Sequence, residues 1–222
     1  MIREYIAQPV MSTEGQLLGI EVLTRFTNDG LLLSGDEVFR GWDIEQKRLY
    51  LYEVLGQIAS TEKFVLHNKL FCSFKIDHAM ATLLYRDSFL AGIVKMMPYL
   101  KLQLSEAFLY INHGLKNPVL DSLSKGNNAL FLEDLGAGKA NAGALVSGVF
   151  EAVKIEGDFF SEQYKKHTFA VLIKNISKYC SKIIIQGVND GNMLRSLRET
   201  GIWGVQGELY KPVPLHKIQS LM

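Results

Sequence analysis

The sequence has few of the features that mark secreted, membrane or nucleic-acid-binding proteins. Cysteine occurs only at Cys72 and Cys180, each inside an apolar segment, which predicts two buried, reduced thiols and no disulfide framework. A net charge of +1 gives no bulk attraction to nucleic acid. No apolar run reaches the roughly 18 residues of a membrane span, and the first residues lack the apolar core of a signal peptide. We therefore expect a soluble cytoplasmic protein.

Linkers, low-complexity segments and internal repeats are also lacking, so we expect one domain over residues 1–222. A chain of this length that is 48% hydrophobic and 21% charged can bury a substantial core. The first predicted strand starts within five residues of the N-terminus, and on that basis no sensor domain is expected before it.

What the chain does contain is an alternation of strand-like and helix-like segments. Two strand-like runs at the start are joined by Ser12-Thr13-Glu14-Gly15, which predicts an antiparallel hairpin. Residues 28–41 have the composition of a polar loop, and 160–179 contain the pattern of a long helix. The eight strand-like runs are 5–11, 16–26, 70–76, 99–106, 129–132, 152–156, 183–188 and 203–207.

This alternation implies right-handed crossovers and a mostly parallel sheet. Eight strands with helices outside them predict an α/β fold made of a single TIM-like (β/α)8 barrel. Its first strand belongs to the hairpin and should run against the other seven.

One stretch, Ala129–Gly138, has the pattern of a strand that ends in a functional site. Its apolar run ends in Glu133 and Asp134, and a Gly-x-Gly turn follows. Parallel α/β folds place chemistry at the carboxyl ends of their strands. Two interpretations compete: the acids hold a metal that activates water, or the stretch is a degenerate copy that keeps only its shape. The spacing of Gly136-Ala137-Gly138-Lys139 does not match a P-loop, so we expect a tight turn beside a helix.

Seven predicted strands each carry one polar residue within or at the end of an apolar run. A single residue of this kind is usually a locally satisfied buried group. Seven at equivalent depth favour a common site, because a barrel brings the carboxyl ends of its strands together. They are Glu21, Lys75, Gln103, Glu133, Lys154, Gln186 and Gln206.

The motifs that contain these residues resemble, in their order, those of the EAL domain, a family of bacterial cyclic-di-GMP phosphodiesterases. Glu21-Val22-Leu23-Thr24-Arg25 is similar to the family signature Glu-Ala-Leu-x-Arg, and Glu133–Gly138 to Asp-Asp-Phe-Gly-Thr-Gly. Further similar segments are Gln8–Val10, Leu102–Glu106, Val153–Glu156, Gln186–Asn189, Val205–Gly207 and Lys211-Pro212. The resemblance runs nearly end to end and implies the barrel of the EAL type.

The resemblance implies ten functional positions, at which the family holds two divalent metals and attacks a phosphodiester with metal-activated water. Lys75 stands where the family has an asparagine ligand, and Gln103 and Gln186 stand where it has glutamates. With these three changes, six acids and two bases (net −4) become four acids and three bases (net −1). The ten positions are Glu21, Arg25, Lys75, Gln103, Glu106, Glu133, Asp134, Lys154, Gln186 and Gln206.

Magnesium prefers anionic oxygen ligands, and lysine has no acceptor to offer. We therefore predict that the ten positions are vestigial, with no catalytic residue, no metal and no cofactor. Lys75 should pair with Glu21 or Glu133 where a metal would lie; the alternative is a solvated loop lysine.

The resemblance thus implies a catalytically inactive EAL-like regulator that acts by protein–protein interaction. Degenerate members of the family include a non-catalytic regulator that binds FlhD of the flagellar master transcription activator. By analogy, FlhD is the expected partner here, and repression of flagellar gene expression and motility the expected effect, with no direct binding to nucleic acid or membranes.

Two alternatives from other functional classes stay open at this point. One is a residual cyclic-di-GMP phosphodiesterase, which would hydrolyse its substrate in the presence of magnesium. The other is a cyclic-di-GMP receptor that does not hydrolyse the ligand, in which Arg25 would hold a phosphate and Gln206 a ligand oxygen or base.

Overall fold

The ring of predicted strands is present in the computed structural model, which describes residues 1–137 and 142–222. The strands found in those residues belong to one sheet. They are β1 (Ile2–Met11), β2 (Leu17–Asn28), β3 (Leu31–Leu33), β4 (Phe71–Lys75), β5 (Leu100–Ser105), β6 (Leu130–Leu135), β7 (Phe150–Ile155), β8 (Lys182–Ile185), β9 (Gly204–Val205) and β10 (Val213–Pro214).

Eight of these strands close a barrel, as predicted. The sheet runs β1-β9-β8-β7-β6-β5-β4-β2, and β1 pairs with β2 to close the ring. Strand β1 is antiparallel to both of its ring neighbours, β2 and β9, whereas β2 and β4 to β9 are parallel. Strand β3 extends the sheet from β2, and β10 extends it from β1. The TIM-like barrel with an N-terminal antiparallel hairpin is therefore confirmed.

Helices cover the outside of the ring. The α-helices of the described residues are α1 (Gly35–Gly41), α2 (Ile44–Ser60), α3 (Glu62–His67), α4 (His78–Arg86), α5 (Ser88–Lys95), α6 (Pro118–Ser124), α7 (Ala142–Val146), α8 (Gly157–Tyr164), α9 (Phe169–Ser177) and α10 (Gly191–Leu197), and 3-10 helices span Ile111–Lys116 and Leu215–Leu221. Within the described ranges, no helix has the length and apolar character needed to cross a membrane.

Two predicted segments differ from the structure. The polar loop expected over 28–41 is wrong, because this segment contains β3 and α1. Phe39 of α1 packs edge-on against Phe26 of β2, with ring centroids 5.4 Å apart, and this contact secures the segment to the barrel. The long helix expected within 160–179 is instead α8 and α9, separated by residues 165–168.

The amino-terminal end of the barrel is closed by a small apolar cluster inside the ring. It consists of Val10, Phe71, Phe131, Ala152 and Ile184. The larger core lies between the strands and the outer helices. The polar residues inside the ring are thus reached from its carboxyl end. Cys72 and Cys180 are buried and free, as predicted.

Candidate functional site

Lys154 lies at the centre of the polar residues that the barrel brings together. Its side chain is fully buried, and Nζ donates to Glu21 Oε2 at 2.7 Å and to Glu133 Oε1 at 2.9 Å. The three residues come from β7, β2 and β6, so the contact crosses the interior of the ring. The sequence marked all three positions, but it did not indicate that Lys154 would hold both carboxylates.

Lys75, the last residue of β4, forms a second ion pair beside the first. Its Nζ lies 3.0 Å from Asp134 Oδ2 and 3.4 Å from Glu133 Oε2. The predicted pairing with Glu133 is therefore confirmed. The alternative pairing with Glu21 is wrong because Lys154 holds that carboxylate. The alternative of a solvated loop lysine is also wrong, because Lys75 ends strand β4 and pairs with two carboxylates.

Asp134 has a left-handed backbone, with φ at +59°, a conformation that Asp tolerates better than most residues.

Three other predicted residues form hydrogen bonds around these ion pairs. Gln206 Nε2 donates to Glu21 Oε2 at 3.0 Å, and Gln103 Nε2 donates to Ser73 Oγ at 2.8 Å. Ser73 is fully buried and was missed by the sequence analysis, although a polar residue two positions before Lys75 in an apolar strand was a readable signal. Glu106 lies at the edge of the site, where Oε2 accepts the Gly136 N–H at 3.1 Å.

Arg25 and Gln186 do not join the network. The Arg25 side chain is 47% exposed, and its ion-pair partner is Glu4, at 3.8 Å. Gln186 directly follows β8 and is partly buried, with no side-chain hydrogen bond among the described residues. The Gly136–Lys139 turn lies partly outside the described residues. Gly136 itself has φ at +100°, and a Cβ there would lie 2.4 Å from the Phe159 ring, so this position does need glycine.

The network contains three carboxylates and two ammonium groups, and their environments shift their pKa values in different directions. Burial disfavours the Lys154 ammonium, but Glu133 and Glu21 outweigh burial and raise the pKa of Lys154. Burial also works against the Glu133 carboxylate, yet Lys154 and Lys75 outweigh it and lower the pKa of Glu133. The pKa of Glu21 is raised, mainly by burial, and so is that of Asp134. The site thus favours the protonated form of Glu21 and Asp134 more than that of Glu133.

We expect Glu21 to take up a proton at a higher pH than Glu133 does. Because the pKa of Glu21 is raised in the folded protein, the folded state binds this proton more tightly than the unfolded state does. The contribution of Glu21 to stability therefore declines as the pH rises from the ordinary pKa of a glutamate, about 4.3, through the pKa in the folded protein. The lowered pKa of Glu133 has the opposite sign, so its contribution is lost as the pH falls through its native pKa. Side-chain carboxyl ¹³C NMR measures both midpoints. Equal midpoints, or a higher one for Glu133, would contradict this electrostatic account.

The donor set does not fit the pair of divalent metals that the EAL resemblance implies. Lys75, which stands where the family has an asparagine ligand, already holds oxygens of Glu133 and Asp134. A unit charge 4 Å away contributes about 4 kcal/mol at an effective dielectric constant of 20, and a divalent ion would feel about twice that repulsion. In the residues that the structure describes, no group of three or more His, Cys, Asp or Glu side chains is arranged to hold a metal ion.

We expect crystals soaked in manganese to show no anomalous peak between Glu21 and Glu133. The triple variant Lys75→Asn, Gln103→Glu, Gln186→Glu is the matched positive control, because it removes one cation and adds two carboxylates. Weak manganese binding should appear in that variant alone. A peak within coordination distance of both glutamates in the unmodified protein would refute the charge argument.

Comparisons with known proteins agree with this description. The sequence model of the EAL domain matches residues 4–212. The anti-FlhC(2)FlhD(4) factor YdiV of Salmonella arizonae is 26% identical over 220 residues, which cover 96% of this chain and 92% of that protein. The putative anti-FlhC(2)FlhD(4) factor YdiV of Escherichia coli is 28% identical with the same coverage. The crystal structure of the EAL-like domain protein YdiV superposes with a TM-score of 0.91 at 27% identity and covers 99% of this chain and 96% of that one. Both relatives are named as anti-factors, and the family match spans nearly the whole chain: the chain belongs to the EAL domain family.

Proposed function

We propose that this chain is a non-catalytic EAL-domain protein that binds the FlhC–FlhD complex through FlhD and represses flagellar gene expression and motility. The observation that carries the proposal is Lys75, which stands where the family has an asparagine ligand and pairs with Glu133 and Asp134. Metal-dependent hydrolysis requires a metal-bound water as nucleophile, and an ammonium group in place of a ligand disfavours the metal that would position one.

The relatives support the choice of partner. Two proteins that match 96% of this chain are named as anti-FlhC(2)FlhD(4) factors, and the YdiV structure matches over nearly its full length. A partner that regulates transcription in a bacterium also implies that this chain works in the cytoplasm.

The two cyclic-di-GMP alternatives have less support. Arg25, the residue expected to hold a phosphate in a receptor, lies outside the network and beside Glu4. The network itself carries three carboxylates against two ammonium groups, an excess of negative charge that disfavours a ligand with two phosphates.

The direct test is complex formation between the purified chain and purified FlhD, and between the chain and the FlhC–FlhD complex. We expect co-elution with both in size-exclusion chromatography, and a calorimetric titration that saturates. The same preparation should leave cyclic-di-GMP intact in magnesium or manganese. Absence of a complex together with metal-dependent hydrolysis would overturn the proposal in favour of the enzyme.

A further inference from the structure

The sheet ends in two short strands outside the ring, β10 on one side and β3 on the other. Strand β10 contains Pro214, and proline is one of the residues that protect a sheet edge, because it has no N–H group to offer. Strand β3 consists of Leu31, Leu32 and Leu33 and has no such protection. An open apolar edge is a place where the strand of another molecule can add to the sheet.

The outer side of β3 has free backbone groups. The turn before it has positive φ angles at Asp29 (+49°) and Gly30 (+81°), which makes it a two-residue turn of type I′. Such a turn makes Asn28 and Leu31, which lie opposite each other, a hydrogen-bonded pair. Alternation along the strand then directs the N–H and C=O groups of Leu32 away from β2. In the described part of the chain, no strand lies on that side to bond with them.

The side chains on one face of this edge are apolar and exposed. Leu32 lies opposite Thr27, and Thr27 lies opposite Ile2 on β1, so the three side chains form one row on one face. Leu32 is 67% exposed and Ile2 is 65% exposed. The other face carries Phe26, which packs against Phe39 of α1. The face with Leu32 is therefore the one that can receive further apolar side chains.

Acidic residues flank the edge at both ends. Asp29 precedes β3, and Asp36 and Glu37 follow it in the first turn of α1. All three are exposed, and none of them forms an ion pair with another described residue. Residues 26–39 contain no lysine, arginine or histidine. The edge is thus complementary in charge to a strand with a basic residue at each end.

The same charges disfavour a second copy of this chain on the edge. Two β3 strands related by a two-fold axis would pair antiparallel, with Leu32 opposite its own equivalent. In that register Asp29 of one copy lies opposite Gly35 of the other and next to Asp36. Like charges would therefore meet at both ends of the contact, which is unfavourable.

We propose that the outer edge of β3 binds an extended segment of a protein partner by strand addition, and that this segment has alternating apolar residues and a basic residue at each end. Its backbone would bond with Leu32 and with the N–H group of Ser34, whose backbone is also extended (φ −66°, ψ 129°). Its apolar side chains would continue the row of Leu32 and Ile2, and its bases would face Asp29 and Glu37. This recognition is independent of whether the partner is the FlhC–FlhD complex.

The first test uses a synthetic peptide, acetyl-Lys-Val-Thr-Val-Thr-Val-Lys-amide, titrated into the ¹⁵N-labelled full chain. We expect saturable shifts of the Leu32 and Ser34 amide signals. The peptide methylated on the nitrogens of its three valines should bind at least tenfold more weakly, because it cannot donate to the C=O group of Leu32. The peptide with glutamate at both ends should bind at least fivefold more weakly at low salt. Equal binding of the three peptides, or unchanged Leu32 and Ser34 signals at saturation, would overturn the inference.

The second test changes the protein. Leu32→Pro removes the outward N–H group and leaves the pairing with β2, since an edge strand tolerates proline there; binding should weaken at least tenfold. Asp29→Asn combined with Glu37→Gln should abolish the preference for lysine over glutamate at the peptide ends, and asparagine tolerates the left-handed backbone of Asp29. Val171→Thr, on the exposed face of α9, is the control and should bind like the unmodified chain.

The outcomes separate this inference from its alternatives. If folded Leu32→Pro binds the peptide as well as the unmodified chain does, or if Val171→Thr weakens binding equally, the β3 edge is not the contact. If Leu32→Pro does not fold, the methylated peptide decides the question on the unmodified chain. Sedimentation velocity without peptide should show a monomer, and a dimer that Leu32→Pro dissociates would assign the edge to a second copy instead. Failure of the peptide to bind overturns this inference and leaves the proposed function to its own test with the FlhC–FlhD complex.

Discussion

Replacing Lys154 with methionine should destabilise the folded protein by about 3–5 kcal/mol, the usual cost of breaking a buried ion pair by removing one partner. The Lys154 side chain is fully buried, and its partners Glu21 and Glu133 are only 4% and 3% exposed. Methionine has a similar length but no charge, so both carboxylates would lose the ammonium group that holds them. Lys75 reaches Glu133 but not Glu21, so it cannot replace Lys154.

Urea denaturation of matched variants isolates the electrostatic cause. Adding Glu21→Gln and Glu133→Gln to Lys154→Met should recover most of the loss, because no buried charge is then left without a partner. Lys166→Met is the control for deleting a lysine ion pair, since the side chains of Lys166 and its partner Glu162 are 46% and 68% exposed. Exposed pairs contribute about 0–1 kcal/mol. A loss for Lys154→Met no larger than that for Lys166→Met would contradict the central role of Lys154.

The barrel was predictable because each ring strand is a short apolar run of its own. Strand β6, for example, is Leu-Phe-Leu followed by Glu133, and such runs need no tertiary information to be recognised. The same pattern identifies the polar residues at the strand ends, because parallel strands bring their carboxyl ends together. Register then pairs Lys75 with Gln103 and Ser105 with Glu133 on neighbouring strands.

The distribution of ion pairs was not predictable, because it depends on depth inside the barrel. Lys154 lies within β7 and is fully buried, whereas Lys75 ends β4 and its side chain is 38% exposed. Both lysines reach Glu133, and only the three-dimensional arrangement decides which of them also reaches Glu21. The resemblance marked the changed position, Lys75, and the unchanged Lys154 proved to be the centre of the network.

Segments fixed by long-range packing were also missed. Helix α1 is held by contacts of Phe39 with Phe26 and Tyr50, residues that are distant in sequence. Asp87 separates α4 from α5 because its side chain accepts the N–H groups of Phe89 and Leu90 and starts a new helix. Hydrophobic periodicity does not reveal where a side chain caps the backbone in this way.

Overproduction of this chain in a flagellated bacterium should reduce swimming and the transcription of flagellar genes, and Glu21→Gln should keep both effects. Glu21 is buried inside the ring, so the change leaves the outer surface intact. Glutamine retains an acceptor for Lys154, which also remains paired with Glu133. In a phosphodiesterase the same change removes the first metal ligand of the family signature, and loss of the ligand shell abolishes activation of water.

The direction of the effect separates binding from catalysis. A sequestering protein lowers swimming in proportion to its concentration, because it removes an activator by mass action. A phosphodiesterase raises swimming, since lower cyclic-di-GMP favours motility in the bacteria where the EAL family acts. Swimming speed, a flagellar promoter reporter and the amount of soluble protein are measured together for the unmodified chain and Glu21→Gln. Increased swimming that disappears in a soluble, folded Glu21→Gln variant would reject sequestration and establish catalysis.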